Sequence, residues 1–233
     1  MLIYYITDRR QFAGSEAERR TQLLRTIRRA AAAGVDYIQL REKDLSMREL
    51  ELLAREALQS VRSEGPSRLL INHRTDLALA VGADGVHLTG SDIAASDARA
   101  LAAGRDTRPN PERQFLVAAS CRSAEQVRLA EAHGADFAVL APIFEKVEAG
   151  NLRREGIGLD ELRRATQKDH SPDLRVEAGD SRSSFPVIAL GGVDVQRAPL
   201  CVTAGAAGIA GIRIFQQCPD LPALVRSLRQ LEA

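Results

Sequence analysis

Ala33-Gly34-Val35-Asp36-Tyr37-Ile38-Gln39-Leu40 places a helix stop and a strand start within eight residues. A glycine just past a helix takes the left-handed conformation without a Cβ penalty, and the apolar run behind it suits a buried strand. The phrase returns as Val81-Gly82-Ala83-Asp84 before Gly85-Val86-His87-Leu88, and as His133-Gly134-Ala135-Asp136 before Phe137-Ala138-Val139-Leu140. A fourth copy, Ala204-Gly205-Ala206-Ala207, precedes Gly208-Ile209-Ala210-Gly211. Between these lie further strand candidates at 2–8, 68–73, 115–120 and 185–191, which makes eight. The segments 18–33, 47–63, 123–133 and 158–167 carry apolar residues at three- and four-residue spacing, the mark of amphipathic helices.

Short, nearly continuous apolar strands alternating with helices suit a parallel sheet covered on its outer side. The expectation is a single-domain α/β fold over residues 1–233, a closed (β/α)8 TIM barrel, with an open doubly wound sheet as the alternative. A chain of 233 residues, 45% hydrophobic and 27% charged, is long enough for one such core. Two stretches break the rhythm and are expected as surface excursions: 104–113, with two prolines, and 169–184, rich in Ser, Asp, Glu and Gly.

Thirty-two Lys and Arg against thirty-one Asp and Glu leave a net charge of +1, so nothing global points to nucleic acid or a membrane surface. Cys121, Cys201 and Cys218 form no CxxC pair, which argues against a disulfide framework or a zinc site and favours the cytoplasm. The N-terminal apolar run reaches charge by Asp8, too short for a signal peptide or a membrane span.

In an α/β barrel the chemistry lies at the C-terminal ends of the strands. Those ends are polar here: Gln39-Leu40-Arg41-Glu42-Lys43-Asp44, Ile71-Asn72-His73-Arg74, Thr89-Gly90-Ser91-Asp92 and Ser120. Alternation puts Gln39, Arg41 and Lys43 on one side of an extended chain, toward the barrel mouth, where a guanidinium fork and a flexible ammonium suit a polyphosphate. His87, between Val86 and Leu88, is expected to be packed, and His133 and His170 to lie on the surface.

With these phrases in view, the chain resembles the thiamine-phosphate synthases and their TenI-like thiazole tautomerase relatives. The likeness is carried by Gln39-Leu40-Arg41-Glu42-Lys43, Ile71-Asn72-His73-Arg74-Thr75-Asp76-Leu77-Ala78 and Ala83-Asp84-Gly85-Val86-His87-Leu88. Ala135-Asp136-Phe137 with Pro142-Ile143-Phe144, and Ala189-Leu190-Gly191-Gly192-Val193, complete it. The resemblance implies a transferase of thiamine biosynthesis that joins a hydroxymethylpyrimidine diphosphate to a thiazole phosphate, releasing pyrophosphate. It implies that Gln39, Arg41, Lys43, Asn72 and Ser120 hold the pyrimidine diphosphate, with Arg41, Lys43 and Ser120 acting in catalysis. Lys146, Gly191, Gly192, Ile212 and Arg213 would hold the thiazole phosphate. Mg2+ is the implied cofactor, with Asp92 as one ligand and His73 as a weaker second. The implied partners are phosphorylated small molecules, with a homodimer left open.

The chain departs from the family pattern where an Asn-Asp pair is expected and Asn72-His73 stands. An imidazole weakens a Mg2+ site, because Mg2+ prefers hard oxygen ligands. A Thr-x-Thr-Lys segment is replaced by Glu145-Lys146-Val147-Glu148-Ala149, leaving Lys146, Arg153 or Arg154 to supply the missing charge. Ile212-Arg213 stands where Val-Ser is usual. The tautomerase alternative would need a histidine two residues after Ser120, where Arg122, a poor proton shuttle, is found. A phosphate-binding relative without catalysis is the other alternative.

Overall fold

The computed structural model describes residues 1–105, 114–148, 151–167 and 185–232. Eight parallel strands close into a barrel: β1 (Leu2–Ile6), β2 (Tyr37–Leu40), β3 (Arg68–Asn72), β4 (Gly85–Leu88), β5 (Leu116–Cys121), β6 (Phe137–Leu140), β9 (Val187–Ala189) and β10 (Gly208–Gly211). Helices α1 (Glu16–Ala32), α2 (Met47–Arg62), α3 (Thr75–Val81), α4 (Ala95–Arg105) and α5 (Ala124–Ala132) follow the first five strands in turn. Then come α6 (Gly158–Thr166), α7 (Ala198–Thr203), the single turn α8 (Arg213–Gln216) and α9 (Leu221–Arg229). The open-sheet alternative is set aside by the pairing of β1 with both β2 and β10. No helix among the described residues is long and apolar enough to cross a membrane.

The strands fall within the expected spans except β5, which runs one residue further to Cys121; β1 stops at Ile6 and β9 covers only Val187–Ala189. One element departs from expectation. The segment after β6 is no simple loop, because Lys146–Glu148 (β7) pairs antiparallel with Asn151–Arg154 (β8). Of the two expected excursions, Gly104 and Arg105 still belong to α4. Residues 106–113 and all of 169–184, His170 included, lie outside the described residues.

The four repeated glycines take φ values of 86°, 70°, 80° and 92° at Gly34, Gly82, Gly134 and Gly205. The aspartate two residues after the first three has a job the sequence did not reveal. Asp36, Asp84 and Asp136 accept hydrogen bonds from the backbone N–H of Ile3 (2.7 Å), Leu69 (2.9 Å) and Val117 (2.7 Å), each on the preceding strand. Each carboxylate thereby fixes where the next strand begins against its neighbour. In the fourth copy Ala207 keeps only the main-chain bond, to the carbonyl of Val187.

Strand residues alternate between two cores, as a two-residue period requires. Ile3, Tyr5, Ile38, Leu69, Ile71, Val86 and Val117 pack outward against the helices. Tyr4, Ile6, Leu70, Leu116, Ala118, Phe137, Val139, Ile188 and Ala210 fill the lumen. Cys121 and Cys201 are buried, and burial pushes their thiols up to about 12 and about 11.

Candidate active site

The lumen floor is aromatic. Tyr37 stacks on Phe137 with ring centroids 4.9 Å apart and planes at 9°, and Tyr4 meets both edge-on at 5.9 and 5.7 Å. One step toward the C-terminal ends, the inward positions turn polar. Gln39 Nε2 donates to Asn72 Oδ1 at 3.0 Å. His87 bridges two strands, with Nδ1 2.9 Å from the Tyr4 hydroxyl and Nε2 2.7 Å from Ser120 Oγ. Burial, reinforced by the nearby Arg41 charge, lowers the His87 pKa to about 3, so the imidazole is neutral at physiological pH. Burial likewise raises the Tyr4 phenol well above its usual value.

Arg41 sits half-buried just past β2, and its guanidinium makes no side-chain hydrogen bond or ion pair with any other described residue. Burial lowers its pKa, opposed by the Asp8 and Glu42 carboxylates. Behind it the loop is clamped. Glu42 is 5% exposed and accepts from Thr7 Oγ1 at 2.6 Å, the Arg9 amide at 3.0 Å and Arg9 Nη1 at 3.1 Å. The Arg9 fork also grips Asp44 at 2.7 and 3.0 Å, and Thr7 Oγ1 accepts the Arg41 amide at 2.9 Å. Burial pushes the Glu42 carboxyl up, and the bonds from Thr7 and Arg9 pull it back. Thr7, Arg9 and Glu42 escaped the sequence reading. The one available signal was a lone acid inside a cationic run, facing away from Arg41 and Lys43.

Exposed Lys43 lines a cavity of about 420 Å³ together with Leu40, Asn72, His73, Thr89 and Ser91. His73, in a left-handed turn at φ 53°, sets Nδ1 3.1 Å from Asp92 Oδ1. The other oxygen, Asp92 Oδ2, accepts from the Thr89 amide at 2.6 Å and Thr89 Oγ1 at 2.9 Å. This donor set does not fit a protein-built Mg2+ site. Both oxygens of its single carboxylate are engaged, and no cluster of three potential ligands occurs among the described residues.

Across the mouth the material changes from side chains to backbone. Gly191 and Gly192 turn at φ 98° and 65°; a Cβ on Gly191 would stand 2.6 Å from Pro142 Cα, and one on Gly192 2.8 Å from Phe144 Cβ. The turn is tied down by the Ile143 and Phe144 amides, which donate to Leu190 and Gly191 carbonyls at 2.8 and 3.0 Å. Arg197 donates to the Gly192 carbonyl at 3.0 Å and lies over the Phe144 ring at 5.0 Å. Ile212 and exposed Arg213 follow β10 at the same end. The side chains of Lys146, Arg153 and Arg154 lie outside the described residues. Arg122 is exposed, its amide bonded to Gln126 Oε1 at 2.8 Å, and His133 is exposed as expected.

Residues 3–215 match the family described as thiamine monophosphate synthase. A Geobacter sulfurreducens protein carrying the provisional name of thiamine-phosphate synthase is 37% identical over 230 residues, 98% of this chain and 93% of its own. The thiamine-phosphate synthase of Methanoculleus marisnigri is 35% identical over 205 residues, 87% of this chain and 84% of its own. Among solved structures, a thiamine phosphate pyrophosphorylase from Pyrococcus furiosus superposes with a TM-score of 0.73 at 26% identity, covering 99% of this chain and 94% of that one.

Proposed function

The chain belongs to the thiamine monophosphate synthase family, and from that premise we propose that its barrel mouth joins a pyrimidine diphosphate to a thiazole phosphate. It is a transferase of thiamine biosynthesis, with pyrophosphate as the leaving group. The observation that carries the assignment of roles is Arg41, a half-buried guanidinium without a side-chain partner among the described residues, above a lumen of aromatic rings. A desolvated guanidinium is a strong receptor for diphosphate oxygens, and exposed Lys43 adds a second cation beside it.

In this reading the pyrimidine ring enters the lumen over the floor of Tyr4, Tyr37 and Phe137, within reach of the Gln39–Asn72 pair and Ser120. The carbon–oxygen bond to the diphosphate breaks, and both bonding electrons leave with pyrophosphate. Arg41 and Lys43 stabilise that growing negative charge, an electrostatic contribution that needs no proton transfer. The thiazole phosphate lies opposite, beside the Gly191–Gly192 turn packed on Pro142 and Phe144, where Ile212 and Arg213 follow. The new carbon–nitrogen bond forms between the two rings. Because the Asp92–His73 pair does not suit Mg2+, no step is assigned to a metal.

The test is incubation of the protein with both substrates, with and without Mg2+. Thiamine phosphate and pyrophosphate in equal amounts are expected. Conversion of a thiazole substrate alone, or binding of both substrates without product, would overturn the assignment in favour of a tautomerase or a binding protein.

A further inference from the structure

We infer that Tyr4 and His87 are positioning residues that fix Ser120 as a hydrogen-bond donor to the bound substrate; the inference rests on the proposed function and deepens it. The Tyr4 hydroxyl is fully buried, and its sole hydrogen-bonding neighbour among the described residues is His87 Nδ1 at 2.9 Å. Were the imidazole proton on Nδ1, the phenol oxygen would accept it and the phenol's own proton would have no acceptor. A buried donor left unmade is the costly arrangement, so the phenol donates and Nδ1 accepts.

A neutral imidazole then carries its proton on Nε2, which faces Ser120 Oγ at 2.7 Å. Ser120 therefore receives a hydrogen bond from His87, and its own proton is left to point elsewhere. Ser120 is exposed to the open mouth of the barrel, while Ala118, two residues earlier on β5, is sealed in the lumen. The hydroxyl can thus donate to an acceptor atom of the substrate, such as a ring nitrogen or a phosphoryl oxygen.

The consequence separates this pair from a nucleophilic one. A serine 2.7 Å from a histidine has the spacing of a nucleophile and its general base. Here the facing nitrogen already holds a proton, so it cannot take the serine's, and Ser120 forms no covalent intermediate. The pair supplies orientation and selectivity: with one Oγ lone pair held by His87, the free hydroxyl proton favours a substrate that presents an acceptor at that point.

Nitrogen-15 NMR of histidine-labelled protein reads the tautomer directly, with the His87 signals among four histidines identified by their absence in His87→Gln. Protonated Nε2 and unprotonated Nδ1 are expected, and the reverse overturns the inference. This result holds whether or not the protein makes thiamine phosphate, so failure here is distinct from failure of the proposed function. In kinetics, Tyr4→Phe keeps the ring in the floor and removes only the hydroxyl. It should raise KM for the pyrimidine diphosphate about tenfold, the worth of one well-placed hydrogen bond. In a Ser120→Ala background the same change should do nothing further, and an undiminished effect there would show that Tyr4 does not act through Ser120.

Discussion

The two sides of the barrel mouth are made of different material. From β2 to β5 the lining is side chains: the Gln39–Asn72 pair, the Tyr4–His87–Ser120 chain and Arg41, braced from behind by Arg9 and Glu42. Around β6, β9 and β10 the described residues bring main chain to the mouth, with Gly191 and Gly192 pressed against Pro142 and Phe144. The side-chain half can be altered one functional group at a time, because the Arg9–Glu42 brace and the mouth-facing groups are separate residues. The backbone half has no such separation. A Cβ at Gly191 or Gly192 would collide with Pro142 or Phe144, so a substitution there disturbs the frame directly.

The largest effect should come from the brace. Arg9→Met leaves Glu42 and Asp44 without their cation, and Glu42 is almost fully buried. Breaking a buried pair from one side destabilises by on the order of 3–5 kcal/mol. Urea unfolding should show this loss, and an unchanged midpoint would mean that the side-chain half does not depend on its frame.

Gly191→Ala should come next. A φ of 98° is strained for alanine, roughly 1–3 kcal/mol, and the contact with Pro142 adds to it. Thermal unfolding and thiazole phosphate binding should weaken together. If binding survives at full strength in a folded variant, the backbone half is not the thiazole phosphate site.

Arg41→Ala should show the opposite separation. With no described partner to orphan, stability should stay within about 0.5 kcal/mol of the parent. Pyrimidine diphosphate binding, followed by calorimetry, should fall by about 1.5–3 kcal/mol, the loss of a charged hydrogen bond.

The last effect is spread along the pH axis and belongs to His87. Its folded pKa of about 3 lies below the ordinary 6.5, so between these values the unfolded chain binds a proton that the folded one refuses. Stability from this group is complete above pH 6.5 and is lost on acidification toward pH 3, with a slope of at most about 1.4 kcal/mol per pH unit. Replacing His87 with Asn should flatten stability across that window, measured by denaturant midpoints at several pH values. An unaltered slope would place the imidazole in contact with water.

The amino-acid sequence by itself determined the barrel and the end of it where polar side chains gather. Its signals are local: a glycine that stops a helix, an apolar run that makes a strand, and a two-residue alternation that puts Gln39, Arg41 and Lys43 on one side. Even so, the local signal could not say why aspartate recurs in the repeated phrase, since its partner is an amide on the preceding strand. The tertiary structure alone decided which of these groups meet. Tyr4 and His87 are 83 positions apart, His87 and Ser120 33, and Arg9 and Glu42 33. Alternation tells which face a side chain takes, but partners across a lumen depend on the stagger of eight strands around the closed barrel, and that stagger is a property of the whole ring.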